Sequence, residues 1–316
     1  MTAPRPFVGK KIMANPIGAL VLLLLSPGYQ VIAQDPQPFR ISVNVDLVVL
    51  NLSVRDRAGQ FAAGLVESNF EIFEDGVKQT LRLFRDEDIP VTVGLVVDHS
   101  GSMRHKLADV VAAARTFVQA SSAEDEMFVV NFSDHVTLGL PPAIRFTNRT
   151  DELARAIANT PAAGMTSLYD SLIVARASLQ EGSREKKVLL VISDGGDNAS
   201  KHRLPEVLKL AQKSRALIYT IGLFDADDPD RNPGVLRRLA DSTGGEAYFP
   251  HQTREVIAIC ERIARDIRHQ YTLGYVSAKA AAPGSYRAIQ VIARDAAKRK
   301  LLVRTRPGYV TGEDSK

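Results

Sequence analysis

The spacing of hydrophobic positions changes character twice along the chain, and each change marks a different kind of element. From Arg40 to Phe84 the period is two: Ile41, Val43, Val45 and Leu47 alternate, and Val49, Leu50, Leu52 and Val54 follow. Turn residues at Arg57 to Gly59 and Glu74 to Gly76 interrupt the run. This pattern predicts short strands, too few to close a core by themselves. After Pro90 an unbroken apolar run, Val91 to Val97, leads into Leu107, Val110, Val111, Ala114, Phe117 and Val118, which carry the i, i+3, i+4 spacing of an amphipathic helix.

The alternation then continues. Strands are expected over Met127 to Phe132, Val188 to Ser193, Leu217 to Leu223 and Ala247 to Phe249. Helices are expected over Leu153 to Ile157, Leu168 to Leu179, Leu204 to Ala211, Val235 to Ala240 and Glu255 to Ile267. Strands alternating with helices predict a mostly parallel sheet covered on both faces. Past His269 the strand pattern returns in Tyr271 to Val276, Tyr286 to Ala293 and Leu301 to Thr305. The expected fold class is therefore α/β: a Rossmann-like, doubly wound sheet over residues 89–269, inserted between two halves of a β-sandwich-like module, 40–88 and 270–311.

Composition narrows the class further. Of 316 residues, 45% are hydrophobic and 24% charged, which excludes a mostly disordered chain and a polytopic membrane protein. The net charge of +4 includes Arg5, Lys10 and Lys11 ahead of any acidic residue, so bulk charge gives no support to a nucleic-acid partner. Those cations precede an uncharged apolar run, Ile17 to Leu25, and Val31 and Ala33 then stand at the small-residue spacing read by a signal peptidase. Residues 1–33 are expected to be a secretory signal peptide cleaved near Ala33, which predicts a secreted or periplasmic mature chain with no membrane span. The run is well short of the roughly 20 apolar residues that span a bilayer, which leaves a retained anchor as the lesser alternative. The single Cys260 excludes an internal disulfide framework, and its place in the stripe Val256, Ile259, Ile263, Ile267 predicts a core residue.

Three loops carry the candidate chemistry. Asp98, Ser100 and Ser102 stand where the first α/β strand meets its helix, Asp194 follows the strand that ends at Ser193, and Thr166 stands in a Gly-x-Thr loop before the helix that begins at Leu168. All five offer hard oxygen donors. In an open parallel sheet ligands bind beyond the carboxyl ends of the strands, where the strand order reverses. If the strands before Asp98 and Asp194 are neighbours there, the loops converge. Mg²⁺ takes about six oxygens, usually keeps several waters and uses one or two protein carboxylates. Asp98 and Asp194, with the hydroxyls of Ser100, Ser102 and Thr166, match that requirement, and Mn²⁺ suits the same donors.

The pattern D-x-S-x-S, the Thr of a G-x-T loop and the Asp of an S-D-G turn resemble the metal-ion-dependent adhesion site of von Willebrand factor type A domains. All five positions match, and the likeness covers Ile89 to about His269. The flanks, with Asn69 to Gly76 before the domain and Gln270 to Tyr275 and Arg306 to Tyr309 after it, resemble a secreted bacterial subgroup more loosely. The resemblance implies a non-enzymatic binding and adhesion module whose metal takes an Asp or Glu from a protein partner.

Each residue also has a plainer reading. Asp98 or Ser100 alone suits a helix cap, and Asp194 suits an ordinary turn. Asp197 and Asp170 are read as structural or solvated carboxylates, His99 as a solvent-facing loop residue, and Lys298 to Lys300 with Arg294 and Arg304 as a solvated hairpin. A metal-dependent hydrolase built on Asp98 is the alternative function. It usually wants a second carboxylate two positions on, where this chain has Ser100. A structural envelope protein with a vestigial site is the third reading. Partner selection is assigned to the loops Asp134 to Met165 and Asp225 to Pro233.

Overall fold

The computed structural model describes residues 47–86, 88–225, 230–279 and 282–311. The leader read over residues 1–33 lies outside these residues, as do Ile41, Val43 and Val45. The first half of the chain contributes β1 (Leu47–Arg55), β2 (Phe70–Glu74), β3 (Val77–Gln79), β4 (Leu81–Arg85), β5 (Val91–Asp98), α1 (Leu107–Ala120), β6 (Glu126–Phe132), β7 (Val136–Leu138) and α2 (Thr150–Ala158). It continues through α3 (Leu168–Gln180), β8 (Lys186–Ser193), α4 (Leu204–Lys213), β9 (Leu217–Gly222), α5 (Pro233–Thr243), β10 (Ala247–Tyr248) and α6 (Val256–Arg268). Four strands close the sequence: β11 (Tyr271–Val276), β12 (Tyr286–Ala293), β13 (Leu302–Arg304) and β14 (Gly308–Val310). No helix among the described residues is long and apolar enough to cross a membrane.

Strand β5, in the sequence Val-Thr-Val-Gly-Leu-Val-Val-Asp, is buried along its whole length, as a central parallel strand covered on both faces must be. It sits inside a sheet of order β10-β9-β8-β5-β6-β7, parallel except for the edge strand β7. Gly94 is packed so closely in β5 that an added Cβ would meet the Phe128 ring at 2.5 Å and Leu189 at 2.7 Å. Helix α1 buries Val110, Ala113, Ala114, Phe117 and Val118, and α6 buries Val256, Cys260, Ile263, Ala264 and Ile267. Each fully buried Val or Ile contributes roughly 1.5–3 kcal/mol over the exposed residue. Cys260 lies in this core as expected, and burial pushes its thiol up to about 12. Helix α5 starts at Pro233 with Asn232 accepting from Val235 N at 3.2 Å, and stops at Gly244, whose φ of 87° is left-handed.

The flanking strands form two antiparallel sheets, β13-β1-β11-β4 and β14-β12-β2-β3. Each sheet mixes strands from before and after the α/β domain: β1 pairs with β11 and β13, β4 with β11, and β2 with β12. Neither half completes a sheet, so the module forms only when both are present. Its core is Leu50, Leu52, Val54, Phe70, Ile72, Tyr271, Leu273 and Tyr275. Strand β14 was not foreseen, because three residues that begin at the Gly of a Pro-Gly pair carry too little period to read.

Ionic contacts fasten the inserted domain to this module. Arg268, at the end of α6, donates from Nε to Asp88 at 2.8 Å and so pins the two ends of the insertion together. Arg55 on β1 meets Glu246 at 2.9 Å and also contacts Asp266 of α6, while Tyr248 donates to Glu246 at 2.8 Å. Arg304, read as part of an exposed basic hairpin, instead donates to Gly245 O at 2.9 Å and meets Asp241 at 3.2 Å. Arg55, Glu246 and Asp266 are mostly shielded from water, and removal of the cation leaves two carboxylates facing each other. Arg55→Met is therefore expected to cost about 2–3 kcal/mol in urea unfolding. A loss below about 0.5 kcal/mol, as for an exposed pair, would show that the cluster contributes nothing to the junction.

Candidate metal centre

Strands β5 and β8 are paired, with Val97 opposite Ile192. Their carboxyl ends deliver Asp98 and Asp194 to the point where the strand order reverses, since β6 lies on one side of β5 and β8 on the other. Ser102 Oγ donates to Asp194 Oδ2 at 2.5 Å, and Ser100 Oγ lies 3.0 Å from Ser102 Oγ. Asp98 Oδ1 accepts from Ser100 N at 2.8 Å, and its Oδ2 accepts from Ser193 Oγ at 2.6 Å. The Gly164-Met-Thr166 loop is laid against this group by main-chain bonds, Gly101 N to Gly164 O at 3.1 Å and Ala163 N to His99 O at 2.8 Å. All five residues singled out in the sequence therefore belong to three loops that meet.

The electrostatics of the group are unfavourable by themselves. Asp98, Ser100 and Asp194 are almost fully buried, at 0%, 2% and 2% exposure. Burial, and after it the charge of Asp194, pushes the Asp98 carboxyl up to about 6. Ser102 points its proton at Asp194, which leaves its oxygen lone pairs available to a cation. The donor set is two carboxylates with hydroxyls, which fits a small hard divalent ion. Among the described residues no group of three or more His, Cys, Asp and Glu side chains gathers around one point.

His99 differs from the expectation of a solvent-facing residue. It is fully buried, with Nε2 3.1 Å from Asn131 Oδ1, and Asn131 donates onward to Ala156 O at 2.8 Å. Its ring is turned to Asn131 of β6, and burial lowers its basicity. Asp197 and Asp170 are structural, as read. Asp197 Oδ2 accepts from Tyr169 N at 2.8 Å, and Asp170 accepts from Lys201 N at 3.1 Å and His202 N at 3.0 Å.

Sequence reasoning missed three contributors. Ser193 was read only as a strand end, yet its hydroxyl bonds Asp98. Asp134 holds Met165 N at 3.0 Å, and Asn198 Oδ1 holds Thr166 N at 2.8 Å. The available signal was an Asp or Asn in a turn, the residue types that accept from nearby backbone. The stretch Asp134 to Met165 holds the helix expected at Leu153 to Ile157, seen as α2, and also the unexpected strand β7, and its two ends are what reach the site.

Residues 93–196 match the family model described as the von Willebrand factor type A domain, a span that contains all five site residues. No curated protein matches the chain. Among solved structures, the chain is similar to von Willebrand factor type A from Catenulispora acidiphila, with 13% identity and a TM-score of 0.51, over 86% of this chain and 75% of that one. It is also similar to the vWF domain of the type V pili tip protein Mfa5 from Porphyromonas gingivalis, with 15% identity and a TM-score of 0.48, over 57% of this chain and 95% of that one. The first of these likenesses shows the fold: the mostly parallel α/β sheet is of the von Willebrand factor A type.

Because Asp98 is buried beside a like charge, Asp98→Asn keeps the shape and an acceptor for Ser100 N while removing the repulsion. In chelator at pH 8 the variant is expected to melt at or above the wild-type temperature. A fall of more than about 5 °C would mean that the Asp98 charge stabilises the metal-free fold and that this electrostatic account is wrong.

Proposed function

We propose that the chain is a secreted, metal-dependent protein-binding module of the adhesion type. In this reading residues 89–269 are the binding domain and the split β module, 40–88 with 270–311, is its base. Asp98, Ser100, Ser102, Thr166 and Asp194 hold Mg²⁺ or Mn²⁺, and the partner is a protein offering an Asp or Glu side chain. The observation that carries the reading is the meeting of two buried carboxylates with serine hydroxyls at the carboxyl edge of the sheet. The ion, when bound, supplies an electropositive centre that a partner's carboxylate can approach.

The chain's own residues do the rest. Asp98 and Asp194 balance the ion's double charge, while the hydroxyls of Ser100, Ser102 and Thr166 add none, so the centre keeps its preference for an anionic group. A charge-assisted contact of that kind discriminates against neutral groups. A hydrolase built on Asp98 is disfavoured by its surroundings: both carboxylate oxygens are held, by Ser100 N and Ser193 Oγ, and the residue is shielded from water. That environment suits an anchor better than a nucleophile.

Calorimetry is expected to find one Mg²⁺ or Mn²⁺ per chain, and Asp194→Ala to abolish the binding without unfolding the protein. Unchanged metal affinity in that variant removes the site assignment. Capture of cell-envelope proteins on the immobilised chain is then expected to yield a partner in Mg²⁺ that is lost in chelator. Equal recovery in both conditions would assign recognition to another surface.

A further inference from the structure

Thr166 is the member of the site that neither of the paired strands β5 and β8 delivers, and the side chain of Asn198 bonds its main chain directly. Asn198 Oδ1 accepts from Thr166 N at 2.8 Å, while the main-chain N–H groups of Asn198 and Ala199 both donate to Thr166 O at 3.0 Å. The peptide groups on either side of the Thr166 Cα are thus held by the same short segment. With both peptide planes fixed, the direction of the Cα–Cβ bond is fixed, and a β-branched side chain has few rotamers left in which to place its hydroxyl. Asn198 itself is four residues beyond Asp194, on the same loop.

The grip continues on both sides. Asp197 Oδ2 accepts from Tyr169 N at 2.8 Å and from Ser200 Oγ at 2.6 Å, and Ser200 Oγ accepts from Asp170 N at 3.0 Å. These bonds hold the first turn of α3, which follows Thr166. On the far side Asn198 Nδ2 donates to Asp230 Oδ2 at 3.2 Å, on the loop that leads to α5. One carboxamide therefore touches the Thr166 loop with its oxygen and the loop before α5 with its nitrogen.

We propose that Asn198 is a positioning residue for the metal centre: it fixes Thr166 relative to Asp194 and so sets the geometry on which Mg²⁺ is chosen. The inference rests on the metal-binding reading above and adds to it the residue that tunes the ion. Mg²⁺ demands near-ideal octahedral geometry at short distances, whereas Ca²⁺ accepts longer and less regular contacts. Loosening one hydroxyl therefore penalises Mg²⁺ more than Ca²⁺.

The test is calorimetric titration of the full chain with Mg²⁺ and, separately, with Ca²⁺. Asn198→Ala is expected to weaken Mg²⁺ binding about 10- to 100-fold, the usual effect of removing a residue that orients a ligand. Ca²⁺ binding should fall less, so that the Mg²⁺ to Ca²⁺ affinity ratio drops at least about fivefold. In a Thr166→Ala background the same change is expected to add no further loss, because it acts through Thr166. Asn198→Asp combined with Asp230→Asn keeps an acceptor for Thr166 N and a bond to the loop before α5, and its affinity ratio should stay near wild type. A ratio unchanged in Asn198→Ala, or losses that simply add to those of Thr166→Ala, overturns the positioning role while leaving the metal site standing. Failure of the wild-type chain to bind Mg²⁺ overturns both readings together.

Discussion

Asp98 ends β5 and Asp194 follows the end of β8, two strands that share one hydrogen-bonded ladder, and both carboxylates are shielded from water. Two like charges brought together out of solvent oppose folding. The neighbours offset part of this cost: Ser193 and Ser100 N bond Asp98, and Ser102 and Gly196 N bond Asp194. Burial nevertheless leaves the Asp98 carboxyl raised to about 6. Strain of this kind persists only where surrounding structure over-determines it, and such places concentrate at functional sites. The rest of the carboxyl edge of the sheet is arranged around this pair.

Over-determination comes from the way the chain returns to its starting point. The α/β domain leaves the β module after β4 and re-enters it at β11, and these strands are themselves paired, Arg85 opposite Thr272. The two ends of the insertion are thus a strand width apart, and the Asp88–Arg268 contact closes the gap. A long insertion between close ends costs little more in loop entropy than a short one. The split module is what gains from the arrangement, because β1 and β4 obtain their partners, and β2 its second partner beside β3, only once the later strands arrive.

The parts of this architecture that were legible in sequence share a property: many residues repeat one signal. The run Val91 to Val97 and the stripe Val110, Ala114, Phe117 announce a buried strand and its helix because burial acts at every position. The meeting of the three loops was legible because each begins or ends such an element. What was missed depends on single residues. Strand β7 has three residues, two of them exposed, so no period is visible. His99 is turned inward by one partner, Asn131, which is far off in sequence. Asn198 acts through main-chain groups of another loop, and nothing in its neighbours marks that partner.

The three loops are tied to one another by bonds that involve no ion. Ordering the backbone costs about 1–2 kcal/mol per residue. Main-chain bonds between the loops offset part of that cost. Ala163 N reaches His99 O, Gly101 N reaches Gly164 O, Ser167 N reaches Ser133 O, and Thr166 is held on both sides by Asn198 and Ala199. Because these bonds use backbone groups, they leave the side-chain oxygens for a ligand. They also leave the side chains between them outside the clamp: Met165 stands exposed on a segment whose own N–H is fixed by Asp134. A surface of that kind presents side chains from a backbone that no longer has to be ordered when something binds to it.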